Sequence, residues 1–238
     1  NKTEELQRII AGRDKLYSVI AHDLRSPMGS IKMVLNMLML NLPVEKIGGE
    51  MYELLTMANR TTEDVFSLLD NLLKWTKSQI GNLNVVYQDV DAVEVVDSVI
   101  DVFNMVAGLK KITIREEKPE KLPVCTDIDM LKTIIRNLLS NAIKFSNENS
   151  EVLVKMEEQG DTVVVSVKDS GCGIDEEGQK KLLHTDTHFS TFGTNNEEGS
   201  GLGLLLCQDF AVKSGGKLWF TSKKGEGSTF YFSIPLKK

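Results

Sequence analysis

Cysteine, proline and aromatic residues are all scarce in this 238-residue chain: three Cys, five Pro, and Phe, Trp and Tyr at 6% together. Cys125, Cys172 and Cys207 are odd in number and far apart. That excludes a disulfide framework and a paired-cysteine metal site, and it reads as reduced thiols in a cytosolic compartment. No apolar run approaches the roughly 18 residues of a membrane span. The N-terminal stretch NKTEELQRIIAGRDKLY is charged and helical in pattern, not a signal peptide. It also lacks an initiator Met, which reads as a piece of a longer chain. Positive charge is in deficit as well: 28 Lys and Arg stand against 34 Asp and Glu, a net charge of −6. Such a surface does not neutralise many phosphates, so no nucleic acid is expected as a partner.

What is present falls into two halves with different periodicity. Residues 1–81 hold apolar residues at three and four spacing through about Thr3–Leu40 and about Gly49–Ile80. Between them NLPVEKIGG supplies a turn, so the two long helices form an antiparallel hairpin. At about 100° per residue, Leu16, Ile20, Leu24, Ile31, Val34, Leu35 and Leu38 share one arc. On the second helix, Leu54, Ala58, Thr61, Val65, Leu68, Leu72 and Trp75 form the stripe. One hairpin buries each stripe on one side only. Either two copies make a four-helix bundle, or the stripes pack against the rest of the same chain. Residues 82–238 instead alternate strand-like runs with helical ones. Strands are expected at Lys111–Arg115, Glu151–Glu157, Thr162–Lys168, Lys217–Ser222 and Ser228–Ile234. Helices are expected at Ala92–Leu109, Asp127–Phe145 and Leu202–Ser214. This is an α+β sandwich, with helices on one face of a mixed sheet and a boundary near Gly81–Asn84.

Five segments carry chemistry. SVIAHDLRSPMGSI, Ser18 to Ile31, places His22 nearly opposite the apolar arc, with Asp23 beside it, Ser26 one turn on and Pro27 next. RNLLSNAIKF puts Asn137, Asn141 and Lys144 on one helical face amid apolar neighbours. Amide oxygens suit Mg²⁺, and a lysine suits phosphate. DSGCGI follows a strand, so the Asp169 carboxylate can accept from an exocyclic amine. Gly171 and Gly173 permit close backbone approach there, with Cys172 as a small filler between them. GSGLGL opens a helix with free N–H groups for an anion, but fits neither a Rossmann fingerprint nor a P-loop. GEGSTF, Gly225 to Phe230, is a tight hairpin into the last strand. The polar stretch Asp175–Glu198 between the two glycine segments reads as a nucleotide lid.

Taken in order, HDLRSP, NLLSNAIKF, DSGCGI and GSGLGL resemble the cytoplasmic core of a two-component sensor histidine kinase, including hybrid ones. The resemblance covers nearly the whole chain. It implies a dimerisation and histidine-phosphotransfer hairpin over 1–81. An ATP-binding sandwich of the gyrase/Hsp90/histidine kinase/MutL type follows over 82–238. By this resemblance His22 is the phosphorylated histidine, Asp23 the acid that orients and deprotonates it, and Ser26 the residue that positions water for dephosphorylating a partner. Asn141, with Asn137, matches the Mg²⁺ position, Lys144 a phosphate contact and Asp169 the adenine-binding acid. Gly199, Gly201 and Gly203 match the lid-end glycines. Phe145, Gly171, Gly173, Leu202 and Thr229 complete the ATP-binding set. The implied partners are a second copy of the chain and a response-regulator receiver. The implied location is the cytoplasmic portion of an inner-membrane-anchored sensor, attached through segments upstream of Asn1. An ATP-gated switch that only hydrolyses would want Glu where Asn137 stands, because an amide is no general base. The full set of polar ligands argues against a degenerate, purely dimerising module.

Overall fold

Two long helices make up the N-terminal unit, Asn1–Asn84: α1, Lys2–Asn41, and α2, Gly49–Gln79. The computed structural model describes residues 2–42, 48–79, 85–182 and 202–237. Pairs between the helices run in opposite directions along the chain. Arg25 pairs with Asp70, a Cβ on Gly29 would meet Phe66 at 3.6 Å, and Lys32 pairs with Glu63 at 3.4 Å. The helices are therefore antiparallel. Ala21, Leu69 and Leu73 are buried between them, with Met28 and Leu72 packed alongside. Thr62 and Thr76 are buried further along α2.

This seam is not the arc expected from the sequence. Positions 21, 25, 28 and 32 face 62, 66, 69 and 73, whereas Ile20, Leu24, Ile31, Val34 and Leu38 stay 37–53% exposed. Leu54 and Val65 of the α2 stripe are exposed too. Two helices cover only the strip between them, so the rest of a broad apolar arc is left on the flank. α1 continues through Pro27. The turn expected between the helices falls partly on residues 43–47, and the boundary expected at Gly81–Asn84 falls on 81–84. Both lie outside the described residues. No helix among the described residues is long and apolar enough to cross a membrane.

The second unit, Val85–Lys238, is an α/β sandwich. Its strands are β1, Gln88–Asp91; β2, Thr113–Glu117; β3, Pro123–Thr126; β4, Glu151–Gln159; β5, Thr162–Lys168; β6, Leu218–Lys223; and β7, Gly227–Pro235. Its helices are α3, Ala92–Leu109; α4, Ile128–Phe145; α5, Glu176–Lys181; and α6, Leu202–Lys213. Five strands form one sheet in the order β2-β4-β5-β7-β6, with β2 parallel to β4 and the other neighbours antiparallel. β1 and β3 pair separately.

Alternation sorts the sheet faces. Val154, Val167, Phe230 and Phe220 lie in one cross-strand row, and Met156, Val165, Phe232 and Leu218 in the next. These side chains, with Ile134, Ile135, Leu138 and Leu139 of α4 and Leu206 and Phe210 of α6, form the core. Full burial of such a side chain stabilises by about 1.5–3 kcal/mol. On the opposite face Trp219 stacks on Tyr231 with ring centroids 5.3 Å apart. Aspartates start the helices: Asp91 caps α3, Asp127 caps α4 and Asp175 caps α5.

β2 begins two residues later than expected because Lys111, at φ 56, still belongs to the turn that ends α3. The segment read as a nucleotide lid opens with a capped helix, α5, and its remainder, 183–198, lies outside the described residues.

Candidate functional site

Three backbone segments meet around Asp169, which follows β5. Its N–H donates to the Ser228 carbonyl at 2.8 Å. Its Oδ1 accepts from the N–H of Gly171 at 2.9 Å and of Ser228 at 3.2 Å. The residue is only 4% exposed. Burial pushes the carboxyl above its ordinary value, and the two N–H groups pull it part of the way back.

The loop after Asp169 is pressed against its neighbours. A Cβ on Gly171 would lie 2.0 Å from the Phe145 carbonyl oxygen, and one on Gly227 would lie 2.1 Å from that of Asp169. The Cys172 N–H donates to the Phe145 carbonyl at 3.4 Å, and the Cys172 carbonyl accepts from Gly225 N–H at 2.7 Å. Gly173, at φ 60, sits over the backbone of Lys223. Ser222 Oγ accepts from Ile174 N–H at 2.8 Å and lies 2.8 Å from Ser228 Oγ. Gln179 of α5 donates to the carbonyls of Ile174 at 2.7 Å and Ser222 at 3.1 Å. The C-terminus of α4, the loop and the β6–β7 hairpin thus form one connected piece. Cys172 is exposed, so the filler role expected for it does not hold.

Asn137, Asn141 and Lys144 are half-buried and share one side of α4. The two amides differ. Asn137 Nδ2 donates to the Thr133 carbonyl at 2.9 Å, and its Oδ1 would lie 2.6 Å from a Cβ on Gly203, so it packs against the first turn of α6. Lys144 Nζ lies 5.2 Å from the centre of the Phe145 ring. Among the described residues no cluster of three or more His, Cys, Asp or Glu side chains is built to hold a metal ion. A divalent cation here would depend on amide oxygen and on the ligand's own phosphates, the donors Mg²⁺ accepts. Asn141 suits that role better than Asn137, whose amide oxygen is packed against Gly203.

Thr229 lies apart from this cluster. Strand alternation puts it on the face of β7 opposite to Ser228 and Phe230, paired across the ladder with Lys168 and Thr221 and in phase with Tyr231. The residue that meets Asp169 is Ser228, through its backbone N–H and carbonyl, while its hydroxyl lies against Ser222 Oγ. Leu202 and Gly203 form the half-buried start of α6, while Gly199 and Gly201 lie outside the described residues. His22, Asp23 and Ser26 belong to α1 in the other unit. Asp23 and Ser26 are exposed, and the Ser26 carbonyl accepts from Ser30 Oγ at 3.2 Å. The imidazole of His22 lies outside the described residues.

Ser222, Ser228 and Lys110 escaped the sequence reading. Ser228 had a signal: it sits two residues before Phe230 and so shares its inward face. Lys110 had none, because a basic residue after a helix reads as an ordinary end-cap.

Residues 126–238 match the family described as Histidine kinase-, DNA gyrase B-, and HSP90-like ATPase. The chain is 29% identical over 238 residues to the adaptive-response sensory kinase SasA of Crocosphaera subtropica, covering 98% of this chain and 62% of the relative. It is 33% identical to the sensor protein KdpD of Clostridium acetobutylicum, covering 99% of this chain and 26% of that protein. It therefore spans about three fifths of the SasA relatives or less of other sensors. Among solved structures, a nucleotide-free catalytic domain of the histidine kinase ThkA superposes with a TM-score of 0.56 at 30% identity, over 63% of this chain and 96% of that one. Full-length ShkA in complex with AMPPNP shares the fold at a TM-score of 0.70 and 21% identity, over 94% of this chain and 46% of that one.

Proposed function

We propose that this chain, which belongs to the histidine kinases of that ATPase family, is the core of a two-component sensor that transfers phosphoryl from ATP to His22 and on to a receiver aspartate. In this reading residues 1–81 are the dimerisation and phosphotransfer hairpin and 82–238 the ATP-binding domain.

The observation that carries the reading is the buried Asp169 carboxylate. With Oδ1 taken up by backbone N–H groups, Oδ2 is left to accept from an exocyclic amine. Adenine offers that donor, whereas guanine has a carbonyl at the same ring position. Lys144 supplies a compact charge for the phosphates. Leu202 and Gly203 open α6 with backbone N–H groups, and Gly199 and Gly201 precede them in the sequence as further candidates. Asn141 would hold Mg²⁺, with Asn137 beside it, and the ion when bound would offset charge on the phosphates.

In the transfer, neutral His22 Nε2 forms the bond to the γ-phosphorus while the bond to the β,γ-bridging oxygen breaks and ADP leaves. Asp23 accepts from Nδ1–H and stabilises the cation that forms. Asn137 cannot deprotonate water, which favours transfer to a side chain over hydrolysis. The exposed apolar row of α1 and α2 favours a homodimer that covers it. Ser26, one turn from His22, would direct water at a docked aspartyl phosphate.

Nucleotide competition tests the site. ATP should displace a bound ATP analogue well over tenfold better than GTP does, a preference of more than about 1.4 kcal/mol. Asp169→Asn should remove that preference. Equal competition by the two nucleotides in the wild type would contradict the role of Asp169.

A further inference from the structure

The last four carbonyls of α4 all find donors, and two of them share one. Ala142 accepts from Ser146 N–H at 3.1 Å, and Phe145 from Cys172 N–H at 3.4 Å. Between them, the carbonyls of Ile143 and Lys144 both accept from Lys110 Nζ, at 3.1 and 2.9 Å. A helix end leaves such carbonyls without partners of its own, so a side chain from α3 completes this one.

The local fold explains how Lys110 gets there. It follows the last residue of α3, its own N–H donates back to the Ala107 carbonyl at 3.0 Å, and Lys111 N–H donates to that of Gly108 at 3.0 Å. Lys111 adopts φ 56, and Ile112 N–H then closes on the Ala107 carbonyl at 2.9 Å. This reversal leaves the Lys110 residue 8% exposed, a buried lysine whose ammonium lies under the end of α4. A cation at a helix C-terminus is also favoured by the helix dipole.

We propose that Lys110 is a positioning residue of the nucleotide site: its ammonium fixes the last turn of α4, and through it Lys144, Phe145 and the glycine loop that carries Asp169. The inference rests on the ATP-binding reading above. The chain of contacts has little slack. The Phe145 carbonyl is one residue beyond the carbonyls that Lys110 holds, and a single added Cβ at Gly171 would come within 2.0 Å of it. Without the ammonium, the buried carbonyl of Ile143 and the partly buried carbonyl of Lys144 lose this donor, and the turn must fray or admit water to replace it. Either change moves the Phe145 carbonyl and with it Cys172, Gly171 and Asp169.

The test uses the whole chain as wild type, Lys110→Met and Lys110→Arg, well below the melting temperature of each. Met keeps the aliphatic volume and removes the donors, while Arg keeps the charge and the reach. Calorimetric titration with Mg-ADP and with a non-hydrolysable ATP analogue should show Kd raised about tenfold in the Met variant and largely recovered in the Arg variant. Autophosphorylation should show the same rise in KM for ATP, with the rate at saturating ATP within about twofold of wild type. A Met variant that melts earlier but binds nucleotide with wild-type Kd would make Lys110 a purely structural cap and overturn the inference. If the Met variant does not fold, Lys110→Gln, which keeps a donor, should give an intermediate Kd. An unchanged Kd there overturns the inference equally. A wild type that binds neither nucleotide would instead remove the ATP-binding reading itself.

Discussion

The carbonyl oxygen of Phe145 lies 2.0 Å from where a Cβ on Gly171 would stand. That contact joins the end of α4 to the loop of Asp169, and it leaves no room for any side chain at position 171. The clash is with backbone, so a rotamer change cannot relieve it.

Gly171→Ala should therefore destabilise the second unit by about 1–3 kcal/mol, the usual range for overpacking. It should also weaken nucleotide binding, because relief requires α4 and the loop to separate. Urea denaturation followed by nucleotide titration measures both. A variant with unchanged midpoint and affinity would show that this packing is not needed.

Asp169 makes the fold pH-dependent in a definite direction. Burial raises its pKa above the unfolded value, so the native state keeps a proton that the unfolded chain has released. Stability from this group is thus lost as pH rises from the ordinary Asp value of about 4 through the higher folded value, and the loss persists at neutral pH. Asp169→Asn should stabilise the nucleotide-free protein at neutral pH, with the gain disappearing at the acid end. Denaturation midpoints at several pH values test this. A variant less stable than wild type at neutral pH would contradict it.

Lys111 holds φ 56, a left-handed conformation that side chains with a Cβ adopt at a cost. Lys111→Gly should stabilise the protein by about 1 kcal/mol, as glycine suits the residue after a helix. A lower midpoint in chemical denaturation would contradict the geometry. Loss of nucleotide binding is not expected, because the carbonyls of α4 are held by Lys110.

Much of this was legible in the sequence because α3, α4 and β5 carry strong periodicity over many residues. Ala92–Leu109 and Thr162–Lys168 match the expected limits residue for residue. β1 and β3 were missed because each has four residues, too few to show alternation, and their stability comes from pairing with each other. The hairpin seam was misplaced because a broad apolar arc does not say which of its edges meets the partner helix. In the site, the glycine segments and Asp169 stood out by residue type. The choice between Ser228 and Thr229 did not, since a shift of one residue along a strand exchanges the two faces. Lys110 acts on a helix 33 residues further along the chain, a link visible only after folding.

Ser26 is exposed on α1, one turn from His22. If it directs water at a docked aspartyl phosphate, Ser26→Ala should slow loss of phosphate from a phosphorylated receiver while leaving autophosphorylation largely intact. The decay is followed with wild type, variant and no kinase. The same decay in all three would leave Ser26 without that role.

The most direct measurement is the chemical nature and position of the label taken from [γ-³²P]ATP. Phosphohistidine is labile in acid and stable in base, unlike phosphoserine, phosphothreonine or an acyl phosphate. The wild type should incorporate label with that profile in the presence of Mg²⁺. His22→Gln should incorporate none while binding nucleotide with unchanged affinity. Acid-labile label retained in His22→Gln would contradict the account.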